Sequence, residues 1–271
     1  MIVFPNAKIN LGLRVIRKRH DGFHDIESLF YPLSLRDVLE VLPVGEDKQS
    51  FFRISGLDVT ADNTNLCMKA LGELKSRYQF ADVGICLHKT IPLGGGLGGG
   101  SSDGAFTLKV IDKLFKLKLS KKELLSLAGE LGSDCPFFID GRPMLVTGRG
   151  EIMNLAQAVL KGYFLLLVVP DMKINTSEAY EMITPNTEGE RVQSIVQLSP
   201  ENWRGRLLNH FEPPLFRKHP ELSAIKDRLY DSGAIYASMT GSGSAIYGIY
   251  NGAPEIPPEF KRHFVYREKL E

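Results

Sequence analysis

Apolar and polar side chains alternate along the first segment of the chain. From residue 7 to residue 15 every second side chain is apolar, and Lys8, Asn10 and Arg14 fall between them. A period of two is typical of a β-strand with one buried face. We therefore predict a strand here that carries Lys8 and Asn10 on its open face.

A second alternating run, at 83–87, leads into a glycine-rich loop, and the apolar residues after the loop have helical spacing. Apolar residues then recur at intervals of three and four positions up to residue 115, which predicts a helix that begins at 101–103. Ser120 and Glu123 have the spacing of a capping box, so a second helix is expected to begin there and to end at Gly132.

The second half of the chain continues this mixed order of strands and helices. The apolar run at 163–169 predicts a buried strand, a helix is expected from Pro220, and 238–250 predicts two short strands joined by a glycine–serine turn. Without regular strand–helix–strand repeats, this order favours the α+β fold class. We predict one domain at 1–155 and a second at 156–271.

The composition is that of an ordinary globular protein. Of the 271 residues, 43% are hydrophobic and 24% are charged, with a net charge of +1. Such a charge gives no overall attraction to nucleic acid, and no apolar run reaches the ~18 residues of a membrane span, so we predict neither partner. The three cysteines form no CxxC pair, which argues against a disulfide framework or a zinc site and favours a reducing, cytoplasmic setting.

The most unusual segment is KTIPLGGGLGGGSSDGAF at 89–106, where six of the seven residues at 94–100 are glycine. Glycine is costly to order, so the segment must use its bare backbone for something. A glycine loop before a helix exposes backbone N–H groups, and the helix dipole favours negative charge at the same place. The segment therefore predicts a phosphate site.

Three other interpretations of this loop fit less well. A Walker A loop has a lysine where this chain has Ser101. Gly94, Gly96 and Gly99 match a dinucleotide fingerprint, but no acidic residue follows about 20 positions later. Residues 100–104 match the GxSxG elbow of hydrolases, yet an elbow lies directly between a strand and a helix, and seven loop residues intervene here.

The segment PLGGGLGGGSSD resembles the phosphate loop of the GHMP small-molecule kinases. Four further segments resemble one family within them, the 4-diphosphocytidyl-2-C-methyl-D-erythritol kinases. They are PNAKINLGLRV at 5–15, HDGFHDIESLF at 20–30, LGSDCPFF at 131–138 and MTGSGSAIYG at 239–248. The segments occur in the family's order; 184–206 and the final 20 residues contribute nothing to the resemblance.

The resemblance implies a fold, a reaction and a cofactor. The fold is two α+β domains with the active site in the cleft between them. The reaction transfers the γ-phosphoryl group of ATP to the 2-hydroxyl of 4-diphosphocytidyl-2-C-methyl-D-erythritol, in the non-mevalonate route to isoprenoid precursors. Mg²⁺ accompanies the nucleotide, without dedicated protein ligands. The partner is a small molecule, and no particular oligomeric state is implied.

The resemblance assigns catalysis to Lys8 and Asp134. Asp134 aligns with the family's catalytic aspartate and would accept the proton of the substrate hydroxyl; taken alone, it is better explained as a turn or cap residue. Lys8 is expected beside Asp134, where its charge keeps the carboxylate ionised and stabilises the transferring phosphoryl group. An ordinary solvated lysine is the simpler alternative.

ATP binding is implied for the glycine loop and for two residues near the adenine. The loop residues are Pro92, Leu93, Gly94, Gly95, Gly96, Leu97, Gly98, Gly99, Gly100, Ser101 and Ser102. The other two are Lys89 and Asn65, although a polar residue before a helix is most often a cap.

Substrate binding is implied for several aromatic residues and for the glycine–serine turn. His24 and Phe23 are expected to recognise cytosine, with Tyr180 as the second ring of a sandwich around the base. The family usually has tyrosine where Phe23 stands; the change keeps ring stacking and removes a hydroxyl. The implied positions are Asn10, Phe23, His24, Phe30, Tyr180, Gly241, Ser242 and Gly243.

The main alternative is another GHMP kinase that acts on a different alcohol. The aromatic pair counts against it, because a sugar or amino-acid alcohol needs no base sandwich. A non-catalytic relative would have lost Lys8 or Asp134, and both are present.

Overall fold

The structure is a computed structural model that describes residues 1–45, 48–57, 65–157 and 160–271. Its β-strands are β1 (Ile2–Val3), β2 (Asn6–Lys18), β3 (His24–Arg36), β4 (Val38–Pro43), β5 (Phe51–Gly56), β6 (Val83–Lys89), β7 (Met144–Gly148), β8 (Ile152–Leu155), β9 (Phe164–Val169), β10 (Tyr236–Met239), β11 (Ile246–Tyr250) and β12 (Phe264–Lys269). Its α-helices are α1 (Leu66–Arg77), α2 (Gly99–Phe115), α3 (Lys121–Leu131), α4 (Cys135–Asp140), α5 (Thr176–Glu181), α6 (Val192–Ile195), α7 (Glu212–Lys218) and α8 (Pro220–Asp231). Short 3₁₀ turns lie at Pro200–Asn202 and Pro258–Arg262.

Two compact units divide the chain, and each is assembled from separate stretches. The first contains 1–7, 33–92 and 98–142, and the second contains 8–32, 93–97 and 143–271. Strand β2 and the glycine segment therefore each contribute to both units. The domain boundary predicted at 155/156 concerns the family's domain organisation and stays a prediction.

The first unit is a four-stranded sheet with helices. Its strand order is β1-β4-β6-β5, and only β5 and β6 run parallel. A parallel pair needs a crossover connection, which α1 provides. Buried side chains of strands and helices, among them Val41, Ile85, Leu74 and Leu108, form its core.

The second unit contains two four-stranded sheets, β2-β3-β7-β8 and β10-β11-β9-β12. Strand β9 lies between β11 and β12, so both its edges are paired and five of its six residues are buried. This position explains its continuous apolar run. Leu13 and Val15 of β2 share a core with β9 and with the apolar face of α8.

The predicted elements are confirmed, and so is the α+β class. Helix α2 begins at Gly99, two residues before the predicted start. Ser120 and Glu123 exchange both capping-box hydrogen bonds, and Gly132 follows the last residue of α3. No sequence pattern predicted the C-terminal strand β12 or the burial of Trp203, whose indole donates to the carbonyl oxygen of Leu198 at 3.0 Å.

Within the described ranges, no helix is both long and apolar enough to cross a membrane.

Candidate active site

The first part of the glycine segment packs against the turn between β10 and β11. The N–H groups of Ser244 and Ala245 donate to the carbonyl oxygens of Gly94 and Gly95, at 3.2 and 3.3 Å. Residues 94–97 and this turn both belong to the second unit. The structure thus places the predicted glycine–serine turn directly on the predicted phosphate loop.

Two glycines are required because the backbones approach so closely. A Cβ on Gly96 would lie 2.1 Å from the carbonyl oxygen of Thr240, and the φ of Gly96 is +78°. A Cβ on Gly243 would lie 2.2 Å from the nitrogen of Gly96. At both positions the obstacle is backbone, which no rotamer change can move. Some of these glycines are therefore required by backbone packing. The sequence alone had suggested anion binding as the reason for all of them.

The second part of the glycine segment begins helix α2, in the first unit. Gly98 precedes the helix with a φ of 70° and supplies no side-chain cap. The N–H of Ser102 donates to Gly98 O at 2.9 Å, so the N–H groups before it have no acceptor within the helix. Around a Cβ placed on Gly100 there is open space for 4 Å. This helix start suits a phosphate group.

A buried ion-pair cluster lies beneath this helix start. The ammonium group of Lys89 binds a carboxylate oxygen of Asp37 and one of Asp103, the latter at 2.7 Å. All three side chains are buried. Asp37 also accepts the backbone N–H groups of Thr90 and Ile91, so the cluster joins the end of β6 to the second turn of α2.

The charges of this cluster are unequal, because one cation faces two carboxylates. Burial alone would lower the pKa of Lys89, but its attraction to Asp103 and Asp37 outweighs burial and raises that pKa. Burial raises the pKa of Asp103 to about 8, and repulsion from Asp37 adds to it against the pull of Lys89. The cluster therefore keeps the lysine charged and favours an extra proton on Asp103.

Lys89 was predicted near the adenine, and its side chain faces these carboxylates. Its ammonium is 1% exposed, so a contact with ATP would have to use its backbone. Two more buried polar atoms near it, Ser102 Oγ and Asp103 Oδ1, have no hydrogen-bond partner among the described residues. The side chain of Asn65 accepts the N–H of Cys67, so Asn65 is the N-cap of α1, which is the alternative to ATP binding given above. Its role toward ATP stays a prediction.

A hydrogen-bonded network in the second unit holds Lys8 and Asn10. Lys8 Nζ donates to Asn10 Oδ1 at 2.7 Å, and Asn10 Nδ2 donates to Ser28 Oγ at 3.0 Å. The Asn10 backbone N–H donates to Thr240 Oγ1 at 2.9 Å. The backbone N–H of Lys8 donates to Leu97 O at 2.9 Å. The network thus attaches the predicted catalytic lysine directly to the glycine segment.

The prediction that Lys8 and Asn10 lie on an open strand face is wrong. Lys8 is 3% exposed and Asn10 is 1% exposed. Thr240 Oγ1 donates to Asn10 Oδ1 at 3.2 Å and Lys8 Nζ lies over the Phe30 ring, so the strand is buried on both faces although its residues alternate. A local pattern of two could not show that distant segments would cover the polar face.

The aromatic residues of the second unit form two groups. Lys8 Nζ lies 4.5 Å from the centroid of the buried Phe30 ring. The rings of His24 and Tyr180 stack with centroids 4.9 Å apart and an interplanar angle of 22°. Burial lowers the pKa of His24, and the charge of Lys18 lowers it further, which favours the neutral imidazole. Phe23 is 54% exposed.

Asp134 lies at the N-cap position of the short helix α4, in the first unit. Its carboxylate makes no capping hydrogen bond. Asp134 therefore occupies the cap position without acting as a cap. The next residue, Cys135, is buried and hydrogen-bonded to the hydroxyl of Ser101; burial raises the pKa of its thiol to about 12 in spite of that bond. Ser101 thus links the start of α2 to the helix that carries Asp134.

Each unit therefore brings together part of the predicted site. The second unit holds Lys8, Asn10 and Phe30 with the first glycines and the glycine–serine turn, where Ser242 Oγ donates to Thr176 Oγ1 at 3.3 Å. The first unit holds Lys89, Asn65, Asp134, Pro92 and the loop residues from Gly98 to Ser102. Leu93 belongs to the second unit and is 37% exposed.

Sequence reasoning missed the residues that support these groups. Asn209 Nδ2 donates to Met239 O and Gly241 O, at 3.1 and 2.8 Å, and so holds the glycine–serine turn. Tyr247 donates to Asn10 O at 2.9 Å. The sequence shows only that each of these residues is polar. Whether a polar residue is buried or lies on the surface is known only from the structure. Ser28, Thr240, Asp37 and Asp103 were missed for the same reason.

Within the described ranges, no group of three His, Cys, Asp or Glu side chains could hold a metal ion.

Comparisons with known proteins identify the family of this chain. Residues 65–142 match the family described as GHMP kinases N terminal domain, and 184–265 match GHMP kinases C terminal. A Parabacteroides distasonis protein named 4-diphosphocytidyl-2-C-methyl-D-erythritol kinase is 44% identical over 99% of this chain and 97% of its own length. The Bacteroides fragilis protein of that name is 41% identical over the full length of both.

Solved structures give the same result. A crystal structure of 4-(cytidine 5'-diphospho)-2C-methyl-D-erythritol kinase superposes with a TM-score of 0.79, at 32% identity over 98% of each chain. Mevalonate kinase of Methanococcus jannaschii has a TM-score of 0.72 at 15% identity, over 100% of this chain and 98% of its own, which shows a shared fold alone. The chain belongs to the GHMP kinases and, within them, to the family of the 4-diphosphocytidyl-2-C-methyl-D-erythritol kinases.

Proposed function

We propose that this protein phosphorylates the 2-hydroxyl of 4-diphosphocytidyl-2-C-methyl-D-erythritol with ATP, giving the 2-phosphate and ADP, in the non-mevalonate route to isoprenoid precursors. Near-full-length relatives with 41–46% identity carry the name of this enzyme. Within the molecule, the observation that carries the proposal is the attachment of Lys8 to the glycine segment, through the 2.9 Å bond from its backbone N–H to Leu97 O. A buried cation beside a glycine loop is what phosphoryl transfer requires.

The nucleotide phosphates would bind at the start of α2. The helix offers N–H groups that have no acceptor within it, and the open space at Gly100 leaves room for an anion. Mg²⁺ would be carried by the nucleotide and would neutralise charge on the β- and γ-phosphates.

Asp134 would act as the base of the reaction. As the substrate oxygen bonds to the γ-phosphorus, the bond from that phosphorus to ADP breaks, and the hydroxyl proton passes to the carboxylate. Lys8 would stabilise the charge on the transferring group, with Asn10 Oδ1 orienting its ammonium. Most of the rate enhancement then comes from positioning and charge.

The cytidine part of the substrate would be recognised by aromatic residues. His24 and Tyr180 already stack on each other, and Phe23, the residue before β3, is exposed. A neutral His24 can accept or donate a hydrogen bond at the cytosine edge. Phe30, Gly241, Ser242 and Gly243 complete the proposed substrate set. The cytoplasmic setting expected from the cysteines stays a prediction.

The test is ATP consumption by the purified protein with Mg²⁺. The acceptor is 4-diphosphocytidyl-2-C-methyl-D-erythritol, with mevalonate, homoserine and galactose in parallel and Asp134→Asn as the inactive control. Turnover with the cytidyl acceptor alone supports the proposal. Turnover only with another alcohol would keep the phosphoryl-transfer chemistry and refute the substrate, and no turnover with any acceptor would refute both.

A further inference from the structure

Two hairpins of one sheet bring their tips together in the second unit. In the sheet β2-β3-β7-β8, the loop 19–23 joins β2 to β3, and the turn 149–151 joins β7 to β8. Ile26, near the start of β3, pairs with Gly148 at the end of β7. Since β3 and β7 are antiparallel neighbours, the loop before β3 and the turn after β7 lie at the same end of the sheet.

A cation–π contact joins the two tips. The guanidinium carbon of Arg149 lies 4.9 Å from the centroid of the Phe23 ring. Arg149 Nη1 lies 3.8 Å from a carboxylate oxygen of Asp21. Asp21 in turn accepts the backbone N–H of Phe23 at 3.1 Å. Both the ring and its backbone are therefore held by the same charged pair.

The turn that carries Arg149 is itself well defined. Gly148 and Gly150, on either side of Arg149, have φ angles of +68° and +115°. The backbone N–H of Arg149 donates to the carboxylate of Glu151. On the other side, the N–H of Arg19 donates to Phe23 O at 2.8 Å, which closes the loop. An arginine on a fixed turn can hold a ring that the core does not hold.

The ring needs such a support, because Phe23 is more than half exposed. Phe23 has no hydroxyl group that could anchor it by a hydrogen bond. A stacked guanidinium covers one face of the ring and leaves the other free for a ligand. Such a pre-oriented ring loses less rotational freedom when a base stacks on it.

We propose that Arg149 is a positioning residue for the nucleobase: it stacks on one face of Phe23 and presents the other face to the cytosine of the substrate. The inference rests on the proposed function, which assigns cytosine recognition to Phe23. Arg149 acts through this ring and takes no part in phosphoryl transfer.

The first test is steady-state kinetics of Arg149→Met with the cytidyl acceptor. An exposed cation–π contact corresponds to a roughly two- to fivefold change in affinity. We expect the KM for the acceptor to rise by about that factor, with kcat and the KM for ATP unchanged. Arg149→Lys, which keeps the charge, should recover part of the loss. The control is Arg204→Met, because Arg204 stacks on Tyr230 at 4.0 Å and Tyr230 is not a proposed site residue.

The second test separates stacking from a direct contact with the diphosphate. Inhibition constants of cytidine and of CDP against the acceptor should both rise in Arg149→Met by a similar factor. In a Phe23→Leu background, Arg149→Met should have no further effect, because the ring through which it acts is gone. Weaker inhibition by CDP alone, or an undiminished effect in Phe23→Leu, would overturn the inference.

The two proposals fail in different ways. If the unaltered protein does not turn over the cytidyl acceptor, the proposed function fails and the inference falls with it. If it does, and the KM of Arg149→Met equals that of Arg204→Met, the function stands and only the role of Arg149 is refuted.

Discussion

The sharpest prediction concerns a single methyl group at Gly96. In Gly96→Ala the new Cβ would lie 2.1 Å from the carbonyl oxygen of Thr240 and 3.3 Å from the nitrogen of Gly243. Both obstacles are backbone atoms, so the clash can be relieved only by moving the glycine segment away from the turn between β10 and β11. The φ of +78° adds a second cost, because alanine disfavours it.

The magnitude follows from these two costs. A left-handed backbone conformation costs a non-glycine residue about 1–2 kcal/mol. Moving the segments apart weakens the bonds from Ser244 and Ala245 to Gly94 and Gly95, each worth about 0.5–1.5 kcal/mol net. We therefore expect a loss of roughly 2–5 kcal/mol. For a chain of this size that corresponds to a fall in Tm of at least about 4 °C, measured by scanning calorimetry without nucleotide.

Gly100→Ala is the matched control within the same glycine segment. The new Cβ has nothing within 4 Å, and the residue is in the first turn of α2. Alanine is preferred to glycine in a helix by roughly 0.5–1 kcal/mol, so the Tm should not fall. If phosphate binds here, the methyl group should raise the KM for ATP. A wild-type Tm for Gly96→Ala, or a large fall for Gly100→Ala, would refute the division of the segment into a packing part and a binding part.

Three further predictions concern the buried charges and the base. Lys89→Met leaves the carboxylate of Asp37 buried without its cation, so urea denaturation should show a loss of about 3–5 kcal/mol; an unchanged midpoint would contradict the ion-pair cluster. Because the pKa of Asp103 is raised to about 8, the folded state keeps a proton that the unfolded chain releases near pH 4, so this contribution to stability is lost as the pH rises toward 8. Asp103→Asn should reduce the fall in unfolding free energy between pH 6 and pH 8.5, and an identical slope in both proteins would count against the assignment. Asp134→Asn should lower kcat by about 10²–10⁴ with little change in the KM for ATP, and full activity would exclude Asp134 as the base.

Most of the local structure could be predicted because local rules determine it. The capping box at Ser120 and Glu123 depends on residues three positions apart and is confirmed. The helix after Pro220 and the buried strand β9 follow from apolar spacing within one element. The start of α2 was predicted two residues late, because a glycine N-cap lacks the side-chain signal that polar caps provide.

The parts that could not be predicted depend on contacts between distant residues. Strand β12 pairs with β9 across about a hundred positions of the chain, and nothing in its own sequence specifies that partner. Lys8 and Asn10 alternate with apolar residues as surface residues do, yet both are buried, and Asn10 is contacted by the distant Thr240. Asn209 holds the glycine–serine turn from 30 and 32 positions away.

The cost of the six glycines can now be divided between two causes. At Gly96 the backbone of the turn between β10 and β11 comes too close for any side chain, and the same contact requires glycine at position 243. At Gly100 there is no such neighbour, so packing does not explain the absence of a side chain there. The proposed nucleotide would account for it, because a bare backbone lets a ligand approach the start of α2 closely. The helix start has N–H groups without an acceptor in the helix, which is why we propose an anion, the phosphate of ATP, as that ligand.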